Sequence, residues 1–257
     1  MCSSKKVDVM KKLMNFTISV LLVFVLSLLF SVNNSAKGQQ SSDSENKKVL
    51  FVVTSHGQLG NTGKSTGYYL SEVTHPWNVL YEAGYEIDFV SPLGGKAPVD
   101  DFDLTDPVNK KFWDNEHYRN KIQNTMKPSQ VNPEEYVAIH YAGGHGTMWD
   151  FPGNEKIATI ARKIYEDNGV VSAVCHGPAG LVNIKLSNGQ YLVDGKKVSA
   201  FTNEEEKAVE LDTVVPFLLE SKLKERGAMF EQSGLWQKQV SVDGRLVTGQ
   251  NPQSATA

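Results

Sequence analysis

The chain has 257 residues, of which 40% are hydrophobic and 21% are charged, and its formal net charge at pH 7 is −3. This composition is ordinary for a globular protein. It gives no sign of a nucleic-acid-binding surface, which would require a patch of basic side chains.

The N-terminal segment, residues 1–36, is predicted to be a secretory signal peptide. Two lysines precede an apolar run from Leu13 to Phe30, and a polar stretch follows it. Cleavage near Ala36 is favoured over an uncleaved membrane anchor, so we expect an exported protein or, alternatively, an anchored one. Without this segment the net charge becomes −6 and Cys175 is the only cysteine, which excludes a disulfide within the mature chain.

The rest of the chain is predicted to be a polar linker, residues 37–46, followed by one α/β domain, residues 47–257. Four short apolar runs predict buried parallel strands, namely "KKVLFVVTS", "YEIDFVS", "YVAIHYAGG" and "VVSAV". A helix after the first run should end at Gly84, and "EKIATIARKIYEDNG" predicts an amphipathic helix. Because strands alternate with helices, we expect a three-layer sandwich with a mostly parallel central sheet.

Two other regions carry weaker signals. Residues 100–132 are charged and aromatic, which predicts an irregular insertion with a short helix around "KKFWDNEHYRNKI". Further on, "YLVDGKKVSAFT" and "VSVDGRLVTG" each contain Asp-Gly between apolar residues, a pattern that favours a β-hairpin.

The candidate chemistry lies where the predicted strands end. The sequences "TSHG", "AGGHG" and "CHGPAG" each follow a strand, and open α/β sheets bind ligands beyond the carboxyl ends of their strands. Cys175 stands at a strand-to-helix turn, which predicts a nucleophile elbow. The alternative is a buried structural cysteine, but that residue would lie inside the apolar run and not at its end. The N–H groups of the following helix and His176 predict a thiolate with a depressed pKa.

Four motifs in this order, "SEVTHPW", "YAGGHGTMWDFP", "AVCHGPAGL" and "TGQNPQSA", resemble the ThiJ/PfpI superfamily. This superfamily has the flavodoxin-like, class I glutamine amidotransferase-like fold. More narrowly, the motifs resemble the heat-shock-chaperone branch, which includes the glutathione-independent glyoxalase III enzymes. The resemblance covers about residues 48–257. The chain stops at "NPQSATA", where the family normally continues into a final helix, so that helix is expected to be missing.

The resemblance implies a Cys-His-Glu triad. Cys175 corresponds to the nucleophile and His176 to its neighbour in the triad, and Glu206 in "AFTNEEEKAV" would orient the histidine. Glu205 is a weaker candidate for that role. Two of the three glutamates in this motif are otherwise expected to be solvated residues of a first helical turn.

The resemblance also implies an acid/base and an oxyanion hole. Glu72 in "SEVTHP" corresponds to the carboxylate that leans over the cysteine, and Pro76 cannot donate a hydrogen bond to the carbonyl of Glu72, because proline has no N–H. Gly144 and the N–H of His176 would form the oxyanion hole.

Further residues are expected to line the substrate pocket, namely Gly143, His75 and His145, with His56 as an additional candidate. No spacing matches a metal motif, so we expect neither a metal nor another cofactor.

The implied function is conversion of methylglyoxal and related 2-oxoaldehydes to 2-hydroxy acids such as D-lactate, by a lyase of the hydro-lyase class. A protein deglycase or holdase chaperone, and a PfpI-like cysteine peptidase or amidase, stay open as alternatives. A glutaminase is disfavoured, because its triad histidine lies downstream of the elbow and no histidine follows His176 here. The expected partner is the small-molecule substrate, with no nucleic acid; a homodimer is compatible with the resemblance, and a membrane only with an uncleaved N-terminal segment.

Overall fold

The side chains of the first strand alternate between two hydrophobic clusters. Val49 and Phe51 pack in one cluster, and Leu50 and Val52 pack in the other. Because successive side chains of a strand point to opposite faces, the sheet has a core on each side. The computed structural model describes residues 48–256. In this part of the chain helices cover both faces of the sheet, which confirms the predicted three-layer α/β fold.

The strands are short, and most are buried. They are β1 (Lys48–Val52), β2 (Tyr68–Tyr69), β3 (Glu86–Val90), β4 (Val99–Asp100), β5 (Ala138–Tyr141), β6 (Val170–Val174), β7 (Lys197–Val198), β8 (Met229–Phe230), β9 (Val240–Asp243) and β10 (Leu246–Gly249).

The central sheet has the strand order β3-β1-β5-β6-β10-β9. All neighbouring pairs are parallel except β10 and β9, which form an antiparallel edge. The four apolar runs predicted as strands are β1, β3, β5 and β6, and their order matches the doubly wound arrangement of flavodoxin. The carboxyl ends of β5 and β6 are therefore adjacent, which brings the segments after them together.

The helices connect these strands. They are α1 (Leu70–Glu82), α2 (Pro107–Asp114), α3 (Glu116–Gln123), α4 (Thr147–Asp150), α5 (Glu155–Glu166), α6 (Asn203–Ala208) and α7 (Leu219–Glu225). Helix α1 ends as predicted, with Gly84 just beyond it at φ +82°. The predicted amphipathic helix is α5, whose isoleucines at positions 157, 160 and 164 are buried.

The insertion over residues 100–132 contains two helices where one was predicted. Asp106 accepts hydrogen bonds from the N–H groups of Val108 and Asn109 and so caps α2. Asn115 then ends α2 and caps α3, because its side-chain oxygen accepts a hydrogen bond from the Tyr118 N–H. The single predicted helix is split because this asparagine satisfies the backbone donors of a second helix start.

One predicted hairpin is correct and the other is wrong. β9 and β10 form an antiparallel hairpin around Gly244, which has φ +60°. The segment "YLVDGKKVSAFT" forms no such hairpin, because β7 pairs in parallel with β8, about thirty residues further along the chain. A local Asp-Gly turn signal could not reveal this distant partner.

The predicted signal peptide and linker, residues 1–46, lie outside the described residues. Across residues 48–256, every helix is too short or too polar to cross a membrane.

Candidate active site

Cys175 lies in a sharp turn directly after β6. Its φ is +59°, a left-handed conformation that is rare for a residue with a side chain. Its N–H donates to the Gly249 carbonyl at 3.0 Å, and a five-residue 3-10 helix, Gly177–Leu181, follows. The strained residue between a strand and a helical turn has the form of a nucleophile elbow. The side chain is 4% exposed.

Two glycines after β5 allow the chain to pass close to this turn. A Cβ atom on Gly143 would collide with Glu72 Oε2, and one on Gly144 would collide with the Gly67 carbonyl. Gly144 also has φ +98°, which a side chain would disfavour. The sequence "AGGHG" therefore requires glycine at both positions for steric reasons.

His176 is fully buried between Cys175 and Glu206. Its Nδ1 lies 3.4 Å from Cys175 Sγ, and its Nε2 lies 2.8 Å from Glu206 Oε2. The ionised carboxylate can only accept, so the proton of the neutral imidazole is on Nε2 and Nδ1 is free to accept the thiol proton. This is the arrangement by which a third group orients a base toward a nucleophile.

Glu206 also holds a second histidine. The His145 Nε2 lies 2.9 Å from Glu206 Oε1, and the two imidazole rings lie 4.1 Å apart. Burial alone would raise the pKa of Glu206, but the two histidines lower it to about 2. Burial, and then the neighbouring His145, lowers the pKa of His176, which is therefore neutral at pH 7. These three residues could also contribute three ligand atoms to a metal ion.

Glu72 projects from the first turn of α1 and is fully buried. Its Oε2 accepts a hydrogen bond of 2.9 Å from the Gly143 N–H. Burial raises the pKa of Glu72 to about 8, although hydrogen bonds from Cys175 and from the Gly143 N–H oppose this shift. A carboxyl group with a pKa near neutrality can both donate and accept a proton, as an acid/base must.

The predicted depression of the Cys175 pKa is wrong. Burial, and then the charge and the hydrogen bond of Glu72, raises the pKa of the thiol. The backbone N–H groups of His176 and Gly144 point at the sulfur and oppose the shift. The sequence showed the helical turn after the cysteine, but it could not show how completely the thiol is removed from water.

The predicted pocket histidines have separate environments. His145 lies beside His176, as described above, whereas the His75 Nε2 lies 3.0 Å from Asp106 Oδ2 at the start of α2. His56 stacks on Trp149 with ring centroids 5.1 Å apart.

Tyr69, the residue before α1, was missed by the sequence analysis although it borders the site. Burial, followed by a hydrogen bond to Asp101 and the charges of Asp101, Glu72 and Cys175, raises its pKa. Its place in "YYLSE", three residues before Glu72, was the only available signal.

Glu205, the weaker triad candidate, anchors the segments around the site. Its Oε1 accepts hydrogen bonds from the Trp236 N–H, the Gln250 side chain and the Asn251 side chain, at 2.8 to 3.1 Å. Its Oε2 accepts from the Thr202 N–H, which forms a capping box at the start of α6. The expectation that two of the three glutamates are solvated is therefore wrong, because Glu205 and Glu206 are both buried.

We expect Glu205→Gln to lower the free energy of unfolding by about 2–4 kcal/mol, because an amide NH2 would face several donors in a buried site. Urea denaturation measures this loss. Glu204→Gln is the matched control, since Glu204 is exposed and its substitution should change stability by less than about 0.5 kcal/mol. Equal losses in the two variants would contradict the anchoring role.

The chain is similar to curated glyoxalases over most of its length. It is 34% identical over 220 residues to glyoxalase 3 of Candida albicans, and the aligned region covers 81% of this chain and 93% of that protein. It is 36% identical over 227 residues to a glutathione-independent glyoxalase of Saccharomyces cerevisiae, with 81% and 93% covered.

Solved structures are also similar to the chain over most of its length. The Rapid Encystment Protein 24 KDa of Francisella tularensis is 45% identical with a TM-score of 0.78, and the match covers 81% of this chain and 94% of that one. The crystal structure of glyoxalase III from Candida albicans is 33% identical with a TM-score of 0.75, and 81% and 92% are covered.

The prediction of an exported or membrane-anchored protein is wrong. It rested on residues 1–36 alone, which lie outside the described residues and before the family match. The curated relatives, which include the Candida and Saccharomyces proteins, are named glyoxalases and are matched over 92–95% of their own lengths. An apolar run such as Leu13–Phe30 does not by itself establish export. The homodimer stays a prediction.

The family model of the DJ-1/PfpI family matches residues 65–257, which include the elbow, the two glycines, Glu72 and Glu206. This range is about three quarters of the chain, and it agrees with the ThiJ/PfpI resemblance of the four motifs. The chain therefore belongs to the DJ-1/PfpI family.

Proposed function

We propose that this protein is a glutathione-independent glyoxalase that converts methylglyoxal and related 2-oxoaldehydes to 2-hydroxy acids. The observation that carries the proposal is a fully buried carboxyl group, Glu72, with a pKa raised to about 8 by burial, facing the thiol of Cys175. The names of the Candida and Saccharomyces relatives support the same substrate class.

The first step joins the thiol to the aldehyde. The Cys175 sulfur adds to the aldehyde carbon, and its proton passes to His176 Nδ1, which lies 3.4 Å away. The proton then moves to the former carbonyl oxygen and gives a neutral hemithioacetal. The raised pKa of the thiol makes this base necessary, and Glu206 stabilises the imidazolium that forms.

The second step moves a proton between adjacent carbons. Glu72 in its carboxylate form removes the proton from the carbon bonded to sulfur. The electron pair of that C–H bond forms a double bond to the neighbouring ketone carbon, whose oxygen becomes negatively charged, and the product is an enediolate. The protonated Glu72 then donates to that second carbon, and the hydroxyl proton of the first carbon passes to the oxygen of the second carbon. The first carbon is oxidised to a thioester and the second is reduced to an alcohol, so no external oxidant or reductant is needed. A single acid/base with a pKa near neutrality suits both directions of transfer.

The last step hydrolyses the thioester. A water molecule activated by His176 attacks the carbonyl, and the oxyanion is stabilised by the N–H groups of His176 and Gly144, which point at the sulfur. The carbon–sulfur bond then breaks, the sulfur takes back the proton from His176 Nδ1, and the 2-hydroxy acid is released. The net reaction adds one water to the oxoaldehyde, so the reverse direction is that of a hydro-lyase.

The test is production of lactate from methylglyoxal by the purified protein without glutathione. We expect turnover with the wild-type chain and no increase when glutathione is added, because the Cys175 thiol supplies the sulfur. Hydrolysis of glutamine or peptides without any activity on the aldehyde would contradict the proposal and favour the peptidase or amidase alternative.

A further inference from the structure

The backbone of the proposed acid/base lacks one ordinary helix hydrogen bond. Glu72 lies in the first turn of α1, and its carbonyl would normally accept from the N–H four residues later. That residue is Pro76, which has no N–H and whose ring crowds the same carbonyl. Because Glu72 is fully buried, water cannot easily supply the missing donor.

A buried histidine on β5 supplies the donor. The His140 Nε2 lies 3.2 Å from the Glu72 carbonyl oxygen, and its Nδ1 lies 2.9 Å from the Ser172 hydroxyl on β6. The carbonyl can only accept, so Nε2 carries the proton and Nδ1 accepts from Ser172. The ring also packs against Phe51, with centroids 4.8 Å apart. His140 was not among the residues singled out from the sequence.

We propose that His140 is a positioning residue for Glu72: its Nε2–H replaces the helix bond that Pro76 removes, and Ser172 fixes the tautomer that makes this donation available. The carboxyl group of Glu72 is thereby kept on the Gly143 N–H and beside the thiol. Burial lowers the pKa of His140 to about 4, so the ring is neutral and donates from one nitrogen throughout the neutral pH range.

The expected consequence concerns turnover and not substrate binding. Without the donor, the Glu72 carbonyl is buried and unsatisfied, and the first turn of α1 can shift toward another partner. A displacement of the carboxyl by about 1 Å is enough to slow a proton transfer by about 10²-fold. His140 forms a hydrogen bond with the backbone carbonyl of Glu72 and not with its carboxyl group, so the affinity for the aldehyde should be preserved.

The first measurement rests on the proposed function and uses methylglyoxal turnover. We expect His140→Leu to lower kcat by about 10- to 100-fold with KM within twofold of wild type. Pro76→Ala restores an N–H that can reach the same carbonyl, so the double variant His140→Leu/Pro76→Ala should recover most of the lost kcat. His140→Gln, which keeps an amide donor, should lose less than His140→Leu.

The second measurement does not depend on glyoxalase activity. The rate of Cys175 alkylation by iodoacetamide, measured against pH, reports on the ionisation of the thiol and of the groups near it. Glu72 and His176 face the thiol, and Asp100 acts in turn on Glu72. We expect the profile to shift in His140→Leu and to return toward wild type in the double variant. This shift would support the positioning role even if the wild-type chain did not act on methylglyoxal.

A matched control separates positioning from general destabilisation. Ile164→Ala removes a buried side chain on α5, so it should lower stability while leaving kcat and the alkylation profile unchanged. If His140→Leu does not fold, recovery of folding by the added Pro76→Ala supports the proposal, and failure to recover overturns it. An unchanged alkylation profile in a folded His140→Leu protein, or no rescue by Pro76→Ala, also overturns it.

Discussion

We expect Cys175→Ser to abolish methylglyoxal turnover, with a fall in kcat of at least about 10⁴-fold. The hydroxyl of serine is far harder to deprotonate than a thiol, and His176 is a weak base, because burial lowers its pKa. The serine oxygen would occupy the same strained turn, so the loss would reflect the nucleophile and not its position. Lactate production without glutathione measures the effect.

The second cysteine of the chain provides the matched control for this substitution. Cys2→Ser should leave turnover unchanged, since Cys2 precedes residues 65–257, the range that matches the family and contains the candidate site residues. Mass spectrometry after treatment with methylglyoxal should detect the thioester or hemithioacetal on the peptide that contains Cys175. Wild-type turnover in Cys175→Ser would contradict the proposed nucleophile.

The parallel sheet could be predicted because its strands are local patterns. Each of the four apolar runs is bounded by glycine or polar residues, and strands that alternate with helices have few possible arrangements. The pairing of β7 with β8 could not be predicted in this way, since it depends on contacts between segments about thirty residues apart. The same holds for the second helix of the insertion, which depends on the cap provided by Asn115.

The positions of the candidate site residues could be predicted better than their electrostatics. The resemblance pointed to Cys175, His176 and Glu206. In the structure His176 lies within hydrogen-bonding distance of both of the others, with Nδ1 toward Cys175 and Nε2 toward Glu206. The raised pKa of the thiol could not be predicted, because it arises from burial beside Glu72, a residue about one hundred positions earlier. Burial is a property of the packed domain and leaves no local pattern.

The supporting roles of Glu205 and His140 were missed, because each of these residues lies in an ordinary local pattern. Glu205 lies in a run of three glutamates at the start of α6, where acidic residues normally face water, and only the structure shows its contact with Gln250 and Asn251. His140 lies within the apolar run "YVAIHYAGG", which predicts a strand and carries no signal of a hydrogen bond to Glu72. The absence of an N–H at Pro76 was visible in the sequence, but the side chain that replaces this donor was not.

The second large loss of turnover is expected for the variant Glu72→Gln, because Glu72 is the proposed acid/base. We expect kcat to fall by about 10²- to 10⁴-fold, because glutamine keeps the shape of the side chain but cannot move a proton between the two carbons. The amide oxygen can still accept from the Gly143 N–H, so the substrate site should be preserved and KM should change little. An amidase or peptidase has no carbon-bound proton to move, and its kcat would depend on Cys175 and His176 but hardly on Glu72.

The stability of the same variant provides an independent test of the environment of Glu72. Its folded-state pKa of about 8 lies above the ordinary value of 4.5, so the folded protein binds a proton that the unfolded chain has lost between these pH values. The carboxyl group therefore costs little stability below pH 4.5 and progressively more as the pH rises to about 8.

Glutamine resembles the protonated form at every pH, so Glu72→Gln should be more stable than wild type by about 3 kcal/mol at pH 7, and by much less at pH 4.5. Urea denaturation at these two pH values measures the difference. A variant that loses turnover and gains stability only at the higher pH would show that the same buried carboxyl is both costly to the fold and required for the reaction, whereas an equal change at both pH values would contradict the raised pKa.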